Sequence, residues 1–324
     1  MIKNKNILIT GASGFIGSHL SERLIGNGNF LILIDNFNEY YTGKEKNLLD
    51  LTQKYENRKD FILIKKDLRD DSTLQEIDHD IDIIFHLAAQ AGVRYSIIHP
   101  IEVMDNNIKS TVKLFEFCLN KSIKQIVNAS SSSVYGNPEY TPVDENHPKN
   151  PISPYAVSKL CCEKYAEFYH RLYGLPITSL RFFTVYGARQ RPDMAIRKFF
   201  DFILNNHGIT IFGDGEQLRD FTYISDIIDG VITAGEKPEA VGEVFNLGCS
   251  NPITVNQLVE QLYAIANKQK NFRYIEKQLG DVDITYSNVD KAKKILNYLP
   301  KIKVSEGLKH HFQWQIKFNA KFKS

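Results

Sequence analysis

Ile7-Leu8-Ile9-Thr10 is a short apolar run, and Gly11-Ala12-Ser13-Gly14-Phe15-Ile16-Gly17 follows it without a break. Residues 18–27 then carry a helical pattern that closes at Gly28. Few folds accommodate a strand that turns through spaced glycines straight into a helix. The glycines let backbone approach a pyrophosphate, and the helix start offers free N–H groups and the positive end of its dipole. A second apolar run, Leu31-Ile32-Leu33-Ile34, ends in Asp35, about twenty residues beyond the glycines. A carboxylate there accepts hydrogen bonds from both ribose hydroxyls and repels a 2′-phosphate, which favours NAD over NADP.

The alternation then repeats. Strand-like runs at 61–64, 81–87, 125–128 and 177–180 are separated by helical segments around 44–55, 73–77 and 100–119. Such βα repeats imply an α/β chain with a Rossmann-type, doubly wound parallel sheet that binds ligands at the carboxyl ends of its strands. Asp67 and Leu68 sit past the third strand, where they reach an adenine. Leu87, Ala88, Ala89 and Gln90 follow the fourth, offering small residues where a cofactor must pass. His86 reads as a packed strand residue. The division expected is a nucleotide domain over 1–180 and a smaller substrate domain over 181–324. The strand at 244–248 returns to the first domain, so the second is discontinuous.

A third pattern carries chemistry. Ser130-Ser131-Ser132-Ser133-Val134-Tyr135-Gly136 is a hydroxyl-lined turn at the end of a buried strand, and Tyr155-Ala156-Val157-Ser158-Lys159 follows about twenty residues on. Residues four apart share one face of a helix. An isolated tyrosine loses its proton near pH 10. A lysine ammonium one turn away and the positive nicotinamide of NAD⁺ both favour the phenolate. That phenolate can take the proton of a substrate alcohol as the carbon-bound hydrogen leaves as hydride, with Ser131 sharing a hydrogen bond to the same oxygen.

Composition narrows the partners. A formal charge of +2 over 324 residues gives no footprint for nucleic acid, and 43% apolar with 24% charged residues is ordinary for a globular chain. The four cysteines, Cys118, Cys161, Cys162 and Cys249, have no metal-ligand spacing and read as reduced thiols. No apolar run reaches the roughly twenty residues of a membrane span, so a cytoplasmic protein without metal is expected. The aromatic and lysine-rich stretch 309–324 reads as a terminal helix packed on the domain.

The glycine turn, the serine turn and Tyr155-x-x-x-Lys159 together resemble the extended short-chain dehydrogenase/reductase family, and nearly the whole chain fits. Within it, His86-Leu87-Ala88-Ala89-Gln90-Ala91-Gly92-Val93-Arg94-Tyr95-Ser96, Arg181-Phe182-Phe183-Thr184-Val185-Tyr186-Gly187 and Arg191-Pro192-Asp193-Met194-Ala195 resemble the UDP-glucuronate 4-epimerases. Ala188 departs from the family's usual proline. The resemblance implies bound NAD held by Gly11, Ser13, Gly14, Phe15, Ile16, Gly17, Asp35, Asn36, Asp67, Leu68, Leu87, Ala88, Ala89, Gln90, Asn106, Tyr155 and Lys159. It also implies a homodimer built on the helices that carry Asn106-Asn107 and Tyr155.

It narrows the reaction by subtraction. The related 4,6-dehydratases carry an Asp-Glu pair where Ser132-Ser133 stand here, and the decarboxylases keep a glutamate at the position of Ser133. With neither carboxylate present there is no general acid–base pair for elimination. What remains is oxidation at C4, turning of the ketone and return of the same hydride to its other face. Thr184 stands where galactose-type epimerases have asparagine. Ser132, Ser133, Thr184 and Arg191 together offer donors suited to a C6 carboxylate. The resemblance places the uracil on Thr210 and Phe212, assigns Arg219 to the UDP moiety, and puts Asp281 and Thr285 at the far side of the sugar. Gln278 replaces a phosphate-binding arginine of some relatives, and Arg94 joins the substrate side through its motif. The reading is C4 epimerisation of UDP-glucuronate to UDP-galacturonate. The alternatives are a 4-epimerase of neutral or N-acetylated UDP-hexoses, a UDP-glucuronate decarboxylase, and a nucleotide-binding protein without chemistry.

Overall fold

The computed structural model describes residues 2–54, 60–277 and 282–322. Seven strands, β1 (Asn6–Thr10), β2 (Phe30–Ile34), β3 (Phe61–Ile64), β4 (Ile83–His86), β5 (Gln125–Ser131), β6 (Ile177–Phe182) and β7 (Val244–Leu247), form one sheet in the order β3-β2-β1-β4-β5-β6-β7. Every neighbour pair is parallel; Ile9, for example, faces Leu33 on one side and Phe85 on the other. Sequences such as FLILI in β2 are apolar throughout because helices cover both faces of a parallel sheet. The strand order reverses between β1 and β4, and a crevice opens at their carboxyl ends.

The period-two alternation of each strand sorts the core into two layers. On one face Ile7, Ile9, Leu31, Leu33, Phe85 and Val127 pack with Leu20 and Leu24 of the helix Phe15–Leu24. On the other, Leu8, Ile32, Ile84 and Ile126 pack with Leu114, Phe115, Ala166 and Tyr169. The first layer also takes in Ile227, Ile228 and Val231 of the helix Ile224–Glu236, and Ala292 and Leu296 of the helix Asp290–Leu296. The sheet domain therefore draws more of the second half of the chain than the returning strand. A separate core of Phe200, Ile203, Ile209, Ile211, Leu258, Leu262 and Leu308 builds the smaller region, in which Ile209–Phe212 pairs with Phe272–Ile275.

The terminal helix Val304–Phe322 packs inward through His311 and Phe312 on Phe200. Arg197 lies over the rings of both Trp314 and Phe318. Among the described residues, no helix is long and apolar enough to cross a membrane, and no cluster of metal-ligating side chains occurs.

Two helices differ from the sequence reading. The first begins at Phe15, inside the glycine turn, and ends at Leu24, because Gly14 takes the N-cap position. The segment 100–119 is not one regular helix. It runs Pro100–Met104, then a π-helical turn Asp105–Lys109, then Ser110–Cys118. A π turn inserts a residue into the helical repeat, which re-aims the side chains beside it.

Candidate active site

At the crevice lies a cavity of about 430 Å³, in the size range of small-molecule sites. Its floor is the glycine turn. Gly11 has φ +70° and a Cβ there would sit 2.7 Å from the Ala88 nitrogen, while a Cβ on Gly17 would sit 2.1 Å from the Gly11 carbonyl oxygen. The turn thus admits no side chain at either position. Asp35 ends β2 with its carboxylate fixed by two backbone donors, Ser13 N–H at 2.9 Å and Phe37 N–H at 2.8 Å. Each carboxylate oxygen keeps a further lone pair for a ligand hydroxyl.

Gly11, Gly14, Phe15, Ile16, Gly17, Asp35, Asn36, Asp67, Leu68, Leu87, Ala88, Ala89, Gln90 and Asn106 all line this cavity. Ser13 does not. Its N–H holds Asp35, and its buried Oγ has no hydrogen-bond partner among the described residues. The uncapped helix start, the glycine cradle and the pre-set carboxylate fit a dinucleotide, with pyrophosphate at the turn and ribose at Asp35. Asp67 is held to about pKa 2, first by hydrogen bonds from Arg69, and accepts Asn36 Nδ2 at 2.8 Å.

The same cavity is lined by Ser131, Ser132, Ser133, Tyr155, Lys159, Thr184 and Arg191. Ser131 caps the 3₁₀ turn Ser132–Tyr135: its Oγ accepts the Ser133 N–H at 3.2 Å and donates to Ser133 Oγ at 3.1 Å. Tyr155 and Lys159 lie on the helix Pro154–Tyr173, started by Ser153, whose Oγ accepts the Ala156 N–H. Lys159 is buried, and its ammonium donates to the Ala129 carbonyl at 2.7 Å. A phenol, an ammonium and a hydroxyl thus line one cavity. His86 is a packed residue, bonded at both ring nitrogens to Thr10 and Thr111, and burial followed by the Lys159 charge lowers its pKa to about 3.

Two smaller cavities extend the crevice. One of about 200 Å³ shares Val93, Ser132, Ser133 and Thr184 with the first and adds Arg219 and Thr285. The next, about 290 Å³, continues from Arg219 to Phe212. The three form a path suited to a long, two-ended ligand. Several predicted substrate residues are already engaged along it. Arg94 stands outside the first cavity with its guanidinium 4.6 Å from the Phe212 ring centre, covering the face expected for the base. Arg219 donates to the carbonyls of Leu218, Val282 and Asp283. Thr285 Oγ1 accepts the Asp220 N–H. Thr210 lies on the paired strand and lines none of the three cavities. Gln278 and Asp281 fall outside the described residues.

The sequence reading missed four contributors. Asn107, set by the π turn, accepts the Gln90 N–H at 2.7 Å and donates to Ser158 Oγ at 2.8 Å, tying the cofactor-side loop to the Tyr155 helix. Asn106 beside it instead donates to the Glu102 carbonyl. Glu163, two turns beyond Tyr155, bonds Ser130 and Arg181. Tyr40, which lines the cavity, donates its hydroxyl to Asp193 at 3.1 Å, and Asp193 also holds Arg191 through two bonds of 2.9 and 2.8 Å. Burial opposes the Asp193 carboxylate, but the Arg191 bonds outweigh it and lower its pKa. The available signal for Glu163 was its helical spacing; for Asp193 it was its place two residues from Arg191.

Comparison with known proteins places the chain among NAD-dependent enzymes that act on nucleotide sugars. A family model described as GDP-mannose 4,6 dehydratase matches residues 8–311. A UDP-glucuronate 4-epimerase of Thermodesulfobacterium geofontis is 39% identical over 316 residues, 95% of each chain. The crystal structure of the UDP-glucuronic acid 4-epimerase of Bacillus cereus, in complex with UDP-glucuronic acid and NAD, has a TM-score of 0.91 at 36% identity, covering 97% of this chain and 99% of that one. A UDP-N-acetylglucosamine 4-epimerase of Methanobrevibacter ruminantium, in complex with UDP-N-acetylmuramic acid, has a TM-score of 0.90 at 35% identity, covering 98% and 100%.

The glycine turn supplies a direct test. Gly17→Ala places a methyl against the Gly11 carbonyl and must shift the turn. Calorimetric titration with NAD should show at least about tenfold weaker binding than the parent; unchanged affinity would remove the turn from the dinucleotide site.

Proposed function

The chain belongs to the extended short-chain dehydrogenase/reductase family, in its NAD-dependent epimerase/dehydratase branch, and we propose that it converts UDP-glucuronate to UDP-galacturonate. It is a UDP-sugar 4-epimerase that uses NAD. One observation carries the choice of sugar: Ser132, Ser133, Thr184 and Arg191 line the same cavity as Tyr155 and Lys159, so hydroxyl donors and a guanidinium meet beside the reacting groups.

In this reading Tyr155, as phenolate, takes the proton of the C4 hydroxyl, and Ser131 Oγ shares that oxygen. Lys159, one turn beyond Tyr155 on the same helix, has its ammonium fixed on the Ala129 carbonyl. NAD, which the glycine turn and Asp35 would hold, would supply the acceptor and donor for the C4 hydride. The sugar turns between the two transfers, and Tyr155 gives its proton back. No carboxylate stands at 132 or 133 to eliminate water from the ketone.

A 4-keto uronate is a β-keto acid and loses CO₂ when its carboxylate C–C bond aligns with the carbonyl π system. Ser132, Ser133, Thr184 and Arg191 hold the carboxylate away from that alignment. A second reading, a neutral UDP-hexose, is favoured by the ion pair that already occupies Arg191.

We also infer a homodimer. Ile98 and Ile101 are each 74% exposed and Leu172 is 61% exposed on helices Val93–Ile98, Pro100–Met104 and Pro154–Tyr173. An apolar face of that kind is normally covered by a partner. Sedimentation at micromolar concentration should give twice the chain mass, reduced to one chain by Ile101→Asp with Leu172→Asp; a monomeric parent would contradict the assembly.

NMR of the purified protein with UDP-glucuronate and no added cofactor should show UDP-galacturonate. Thr184→Ala should then release some UDP-pentose and CO₂. A parent that acts on UDP-glucose but leaves UDP-glucuronate untouched would overturn the uronate reading; unchanged epimerisation without pentose in the variant would remove Thr184 from carboxylate control.

A further inference from the structure

Four cations line the main cavity, Lys44, Lys66, Lys159 and Arg191. Lys159 is committed to the Ala129 carbonyl, Lys66 is paired with Glu76, and Lys44 donates to Asn38. Arg191 lies in the loop that follows Thr184–Tyr186 and is, of these four, the one nearest in sequence to Thr184. Its charge is not simply available, because Asp193 grips it through both carboxylate oxygens, Oδ1 to Nε and Oδ2 to Nη2. Two of the five guanidinium N–H groups are thereby used and three remain.

This is more than a chance contact between residues two apart. Tyr40, on the segment after β2, donates its hydroxyl to the same Asp193 oxygen, and Arg191 lies over the Tyr40 ring at 5.6 Å. Tyr40 is itself braced edge-on by Tyr95, with ring centres 4.7 Å apart. Gly92 leaves room for it, since a Cβ there would meet the Tyr40 oxygen at 2.6 Å. Asp193 is thus held from the cofactor side and the sugar side together.

We propose that Asp193 is a specificity-determining residue: by pairing with Arg191 it sets how strongly the cavity draws an anionic sugar over a neutral one. The proposal rests on reading Ser132, Ser133, Thr184 and Arg191 as the place of the sugar's C6 group. A substrate carboxylate competes with Asp193 for the guanidinium and feels repulsion from it at close range. A hydroxymethyl group meets neither effect. With Asp193 in place the cavity accepts a uronate but does not demand one; without its charge, the anion gains and the neutral sugar is indifferent. The pair is partly solvated, with side chains 19% and 43% exposed, so the effect is a tuning of preference.

The test is the dissociation constant of UDP-glucuronate and of UDP-glucose on the NAD-loaded protein, measured by titration calorimetry for the parent, Asp193→Asn and Tyr40→Phe. Binding is read independently of turnover, so failure of the uronate reaction is seen separately in the parent's activity. The glucuronate-over-glucose affinity ratio should rise about threefold to tenfold in Asp193→Asn. Tyr40→Phe should move it less and in the same direction, and adding Arg191→Gln to Asp193→Asn should abolish the gain. A ratio that is unchanged or falls in Asp193→Asn, or a gain that survives loss of Arg191, would overturn the proposal.

Discussion

The end of β5 is held by two side chains on one face of a single helix. Lys159 donates to the Ala129 carbonyl, and Glu163, one turn on, accepts from Ser130 Oγ and from both Nε and Nη2 of Arg181 on β6. The Glu163–Arg181 pair is buried, 5% and 3% exposed. Removing one partner of such a pair costs about 3–5 kcal/mol, because the other charge is left unpaired in low dielectric. Arg181 also donates to the Tyr135 hydroxyl at 2.8 Å, and Tyr135 donates to Asn246 Oδ1 on β7 at 2.6 Å. Tyr155 is one turn before Lys159 on that helix and Ser131 is the residue after Ser130. Both line one cavity because this clamp fixes the strand end to the helix that carries the tyrosine.

The cofactor side and the sugar side are joined through side chains as well as through the sheet. Asn107 ties the loop after β4 to Ser158, between Tyr155 and Lys159. Tyr40, from the loop after β2, reaches Asp193 beside Arg191. His19 on the glycine-turn helix bonds the Ala188 carbonyl, just before the loop that carries Arg191. Burial, aided by the Arg189 charge, lowers the His19 pKa to about 4, so at neutral pH this link is made by an uncharged ring. The glycine turn and the cavity lining at Ser132 and Thr184 therefore belong to one connected frame.

The parts legible in the sequence were those written in local periodicity. Apolar runs of β1 to β6, the glycine turn, Asp35 at the end of β2 and the four-residue spacing of Tyr155 and Lys159 each follow from neighbours along the chain. What stayed hidden depends on contacts between distant segments. The π turn at Asp105–Lys109 leaves no mark in an apolar pattern, yet it aims Asn107. Helix Ile224–Glu236 reads as part of the second half but packs on the sheet beside Phe15–Leu24. Arg94 on Phe212, and Arg219 on the carbonyls of Val282 and Asp283, show that a cation's sequence motif does not tell what holds it before a ligand arrives. Asp193 stands in the sequence as one letter of a motif, while the tyrosine bonded to it, Tyr40, lies 153 residues away.

The proposed reaction takes one hydrogen from C4 and returns it to C4, with no carboxylate at 132 or 133 to serve a second reaction. UDP-glucuronate carrying deuterium at C4, incubated with the protein in ordinary water and followed by NMR, measures it most directly. The expected product is UDP-galacturonate with the deuterium retained at C4, and no incorporation at C5 when the unlabelled sugar is run in deuterium oxide. Loss of the C4 label to solvent, or solvent hydrogen appearing at C5, would contradict it.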